Sequence, residues 1–73
     1  MKEYRFMKEY CNFVKNRYKA SDMPKEQKEH YLKDLDTVIR NTHRGLFTLS
    51  ECMMQLAKAD KWISEYNMYG DQN

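Results

Sequence analysis

Turn formers are nearly absent from this chain, with two glycines and one proline in 73 residues. A β-sandwich or barrel needs a turn signal about every ten residues, so an all-β domain is disfavoured. A few long helices joined by short connections are favoured instead. Cysteine is equally sparse. Cys11 and Cys52 stand singly, without CxxC spacing, so neither a disulfide framework nor a zinc site is expected. Two reduced, half-buried thiols are the expectation. No apolar run approaches the ~20 residues that a membrane-spanning helix needs. The first twenty residues hold six basic and two acidic side chains where a secretory signal would carry an apolar core. No export signal is read there, and the expected location is cytoplasmic.

Catalytic motifs are missing too. The chain has no HExxH, P-loop, GxGxxG, GxSxG or EF-hand loop. His30 and His43 fall on one predicted helix, too far apart along its axis to meet. Glu26 and His30 have i, i+4 spacing, which reads as a surface pair for want of a third ligand. Cys11 has aromatic and aliphatic neighbours in helical space and no base to activate it. No enzyme, cofactor or metal is expected.

Rings and charge are what the chain has in quantity. Charged residues make up 33% and aromatics 14%, which marks a folded domain rather than a disordered segment. In the first segment Tyr4, Met7, Cys11, Val14 and Tyr18 recur at steps of three and four, one stripe of a helix over about 2–20. Phe6, Tyr10 and Phe13 lie beside that stripe, and the apolar arc covers about half the circumference. Arg5, Lys8, Asn12, Lys15 and Lys19 form a third line, largely basic.

"SDMPKEQ" separates this helix from the next. Ser21 or Asp22 is the expected N-cap, with Pro24 in the first turn and Glu26 at the positive end of the dipole. The second helix is predicted over about 23–44, with Tyr31, Leu32, Leu35, Val38, Ile39 and Thr42 on one side. Arg40, His43 and Arg44 then supply positive charge to a last turn, and Gly45 suits the left-handed position after it. Thr48 and Glu51 have capping-box spacing, with Phe47 and Cys52 placed for a hydrophobic staple. The third helix is predicted over about 48–69, burying Leu49, Cys52, Met53, Leu56, Ala59, Ile63 and Tyr66. Residues 70–73 read as a mobile polar tail.

The expected fold is therefore all-α, a single domain over 1–73. It is a small three-helix bundle with an antiparallel hairpin of the second and third helices. So short a chain builds a marginal core, so completion by homo-oligomerisation is expected. Three functional readings follow. The first is a non-enzymatic protein-interaction module, because Trp and Tyr anchor interfaces and Met adapts to them. Its candidate residues are Phe6, Tyr10, Phe13, Trp62, Tyr66 and Tyr69, its partners a second copy and another protein. Small helical chains of this kind serve as regulators or inhibitors, including on phages and other mobile elements, an inference by category only. The second is nucleic-acid binding along Arg5, Lys8, Lys15 and Lys19, with rings available for stacking. A net charge of only +2 weighs against it. The third is a small anion or nucleotide held by Arg40, His43, Arg44 and Thr48 at the start of the third helix.

Overall fold

The apolar period of the first segment becomes a helix of 19 residues, α1 (Lys2–Ala20). The computed structural model describes residues 2–69, so the expected tail at 70–73 lies outside the described residues. Two further helices follow, α2 (Lys25–His43) and α3 (Leu49–Tyr69), and the three pack against one another. The described residues contain no strand.

The first connection departs from expectation in two ways. Neither Ser21 nor Asp22 caps α2; the N-cap is Pro24, without a side-chain hydrogen bond, and its carbonyl accepts the Lys28 N–H at 2.9 Å. A helix start at residue 23 is also ruled out, because the ring of a proline disfavours helical backbone in the residue before it. Ser21 instead closes α1. Its hydroxyl donates to the Tyr18 carbonyl at 2.6 Å and accepts the Met23 N–H at 3.4 Å. The Lys28 ammonium adds bonds to the Lys19 and Ser21 carbonyls at 3.0 and 2.9 Å, a cation where a helix end presents unpaired acceptors. Met23, which the sequence reading put at the start of the second helix, lies in the connection and is buried against the core.

The second connection follows its local signals closely. Arg44 is the C-cap and Gly45 takes φ of +82°. The Leu46 N–H reaches the Asn41 carbonyl at 2.8 Å and the Gly45 N–H reaches that of Thr42 at 3.1 Å, the paired bonds of a Schellman motif. Thr48 and Glu51 then exchange bonds: the Thr48 N–H donates to the Glu51 carboxylate at 3.0 Å, and the Glu51 N–H donates to the Thr48 hydroxyl at 3.1 Å. This capping box satisfies two donors that a bare helix start would leave unpaired.

Among the described residues, the core is a seam of nine buried apolar side chains drawn from all three helices and the first connection. Met7, Cys11, Val14 and Tyr18 come from α1, Met23 from the connection, Leu35 from α2, and Cys52, Leu56 and Ile63 from α3. The two thiols are fully buried rather than half-buried, because each faces the seam directly. Tyr4 lies beside His43 with ring centroids 5.3 Å apart, and Tyr18 beside Tyr31 at 5.5 Å, so α1 and α2 run in opposite senses. Tyr10 and Arg17 reach across to Asp60 and Ser64, fixing α1 on α3.

A methyl at Gly45 would meet open space, so Gly45→Ala tests backbone conformation alone. We expect it to lower unfolding free energy by about 1–2 kcal/mol, and Thr48→Ala to lower it by about 1 kcal/mol. Urea denaturation midpoints read both; an unmoved midpoint for Gly45→Ala would mean that the left-handed cap is not formed in solution.

Candidate functional site

Sequence reasoning grouped six rings as one interaction surface, and the structure divides them between two flanks of α3. Asp60 and Ser64 face α1. Tyr10 donates its hydroxyl to Asp60 Oδ2 at 3.0 Å, and Arg17 binds both the Asp60 carboxylate and the Ser64 hydroxyl. Phe6 and Phe13 flank this junction on α1. The Phe6 ring lies 6.3 Å from that of Tyr10, and Phe13 lies under the Arg17 guanidinium at 5.9 Å. Both phenylalanines are more than half exposed, at 54% and 55%.

Trp62 and Tyr66 belong to the other flank, toward α2. Trp62 stacks on Tyr18 at 6.1 Å and on Tyr66 at 5.5 Å, and meets Tyr31 at 4.7 Å. These centroid separations are those of favourable aromatic pairs. Tyr66 is packed against the core. Tyr69, one turn further on, is exposed. Trp62 keeps 38% of its surface in solvent despite three ring neighbours, so it is both a wall of the fold and an available face.

Between α2 and α3 this wall borders a groove of about 260 Å³, with Tyr18, Leu35 and Ala59 among its lining residues. Tyr31, Asp34 and Val38 line it from α2, and Gln55, Lys58 and Trp62 from α3. Asp34 and Lys58 give it one charge of each sign.

The basic line does not form an unbroken track. Arg5, Lys8 and Lys19 are exposed, but Lys15 is partly covered and pairs with Asp36 at 2.7 Å. Lys8 leans over Tyr4, 5.8 Å from the ring centroid, beside an open cleft of about 650 Å³ on the outer face of α1. Arg17, which the sequence pattern left off every stripe, proves to be the cation that joins α1 to α3 through Asp60 and Ser64. Its signal was its place one turn beyond Phe13 on the Phe6–Tyr10–Phe13 line.

At the second connection Arg40, His43, Arg44 and Thr48 are all exposed. The Glu51 carboxylate already occupies the Thr48 N–H, and the Asn41 carbonyl takes the N–H groups of Leu46 and Phe47. His43 is engaged with the Tyr4 ring. A side-chain anion therefore sits where an exogenous one would bind. Among the described residues Glu26 makes no ion pair with His30; His30 lies 3.5 Å from Asp34 instead. No group of three potential metal-ligating side chains occurs among the described residues, and no described helix is long and apolar enough to cross a membrane.

Burial governs the titrating groups. It pushes the Cys11 thiol from its ordinary 9.0 up to about 11, against the partial relief of nearby Lys15. Its thiol points at the Leu35 carbonyl, 3.7 Å away. Burial also pushes Tyr18 up to about 12 and raises Tyr10, the latter helped by its bond to Asp60. A protonated, enclosed thiol is a poor nucleophile.

Against known proteins, the chain matches no family model, no curated protein and no solved structure.

Between the unfolded and folded ionisation points of Cys11 only the native state retains the proton. Stability that is fully present below pH 9.0 must therefore fall as pH rises toward about 11. Urea midpoints at about pH 8 and about pH 10.5 should show that fall, and Cys11→Ala should reduce its slope. Native Cys11 should also resist maleimide at neutral pH until denaturant is added; rapid native labelling would contradict its enclosure.

Proposed function

We propose that the chain is a small non-enzymatic protein-interaction module, acting as a regulator or inhibitor by occupying a partner's surface. The observation that carries this reading is the pair of exposed phenylalanines, Phe6 and Phe13, on the edge of α1. Large rings left in water on a folded surface mark contact sites when they cluster. Here they stand either side of Tyr10, which is itself held in place by Asp60. Such rigid placement lowers the entropic cost of docking. Arg17, stacked on Phe13, adds a planar cation of the kind enriched at interface centres.

Self-association belongs to the same reading. The buried seam is narrow for 73 residues, and Leu46, Met54, Met68 and Tyr69 add further exposed apolar surface. An antiparallel hairpin of α2 and α3, completed by a second copy, would cover part of it. A cytoplasmic setting is consistent with two free thiols.

Nucleic-acid binding is less well supported. With Lys15 committed to Asp36, the remaining cations of the line are separated, and α3 contributes acidic groups.

Phe6→Ser with Phe13→Ser is the decisive variant. Exposed rings away from the seam should change stability by no more than about 0.5 kcal/mol each. Circular dichroism and melting temperature should therefore be retained, while capture of a partner from the native cell is lost. If the variant unfolds, the rings hold the fold together; if capture persists unchanged, the docking surface lies elsewhere.

A further inference from the structure

The groove between α2 and α3 carries features that the α1 edge does not need. Trp62, the chain's single tryptophan, forms one wall and remains more than a third exposed although three rings pack on it. Tyr31 and Val38 are half-buried at the opposite wall. A preorganised aromatic with one face in solvent is the commonest kind of interface anchor. The charges at the groove are Asp34 from α2 and Lys58 from α3. Among the described residues Asp34 has the exposed His30 imidazole as its sole ion-pair partner. No carboxylate among the described residues lies within ion-pair distance of Lys58.

Resting on the self-association part of the proposed function, the geometry points to a second copy of this chain as the occupant of this groove. The assembly is a two-fold dimer in which α2 of each subunit lies over α3 of the other. Charge selects this arrangement. A two-fold axis running across the helices would set Asp34 against Asp34 and Lys58 against Lys58, which is repulsive. A two-fold axis running along the helices sets Asp34 of each copy against Lys58 of the other, twice. Every contact in such an isologous interface is made in duplicate.

Size agrees with this occupant. The molecule measures 40 × 20 × 16 Å. One long side offers roughly the 800 Å² per partner that a standard interface buries. In the dimer the two Trp62–Tyr31 walls close over one another, and the exposed face of Trp62 leaves solvent.

Sedimentation equilibrium with tryptophan emission, on the full chain across a dilution series, tests the proposal. The wild type should give twice the 9.0 kDa subunit mass at high micromolar concentration. Trp62 emission should move to longer wavelength as dilution separates the subunits. Asp34→Lys and Lys58→Asp, both on exposed positions, should each weaken dimerisation roughly tenfold to a hundredfold, since each change acts twice. The double variant Asp34→Lys/Lys58→Asp should restore it, with circular dichroism confirming that all three variants remain helical. A dimer whose Trp62 emission ignores dilution, or which is insensitive to either single reversal, would overturn the groove as the interface and leave self-association standing. Failure of the double variant to recover would overturn the α2-over-α3 pairing. A strict monomer would overturn both the groove dimer and self-association, while the Phe6–Phe13 docking surface would still stand or fall on its own variant.

Discussion

Tyr18 is the residue on which the three helices converge. It is 1% exposed, its hydroxyl donates to the Ala59 carbonyl of α3 at 2.9 Å, and its ring meets Tyr31 of α2 and Trp62 of α3. Its own carbonyl ends α1 by accepting both the N–H and the hydroxyl of Ser21. A buried phenol must find a hydrogen-bond partner, and the carbonyl it finds fixes the height of α1 against α3. Once that height is set, Tyr10 and Arg17 fall beside Asp60, and Lys15 falls beside Asp36.

This arrangement explains why so small a chain can show rings at its surface and still be folded. Tight burial is confined to a seam in which Val14, Cys52, Leu56 and Ile63 have no exposure at all. Around that seam, polar links between helices take over work that a larger core would do by area. The Asp60 junction gathers a phenol, a guanidinium and a serine hydroxyl at the rim, leaving Phe6 and Phe13 no inward position to fill. Their exposure is a consequence of where α1 is pinned, and the proposed docking surface rests on it.

The aromatics divide into two faces. One face combines the exposed rings of Phe6 and Phe13 with a stacked cation on α1; the other is a stacked wall of Tyr18, Trp62 and Tyr66 beside a groove. Under the proposed reading, a second copy and a different protein would meet different faces and would not compete.

Much of the fold was legible in residues close together in the chain. The α1 stripe, the Gly45 cap and the Thr48–Glu51 box depend on bonds within a turn or two, so composition and spacing were enough to place them. The start of α2 was misplaced at Met23 because a proline's restriction on the residue before it outweighed the cap signals at Ser21 and Asp22, and the burial of Met23 depends on how the helices pack, which no local signal states. The partners of Lys15 and Arg17, and the splitting of the six rings, were not legible for a related reason. A helical period states which side chains share a face, but the way three helices turn about one another decides what each face meets. Local hydrogen bonding thus wrote the helices into the sequence, while the packing of rods some tens of residues apart along the chain decided which rings became core, which became wall and which stayed in water.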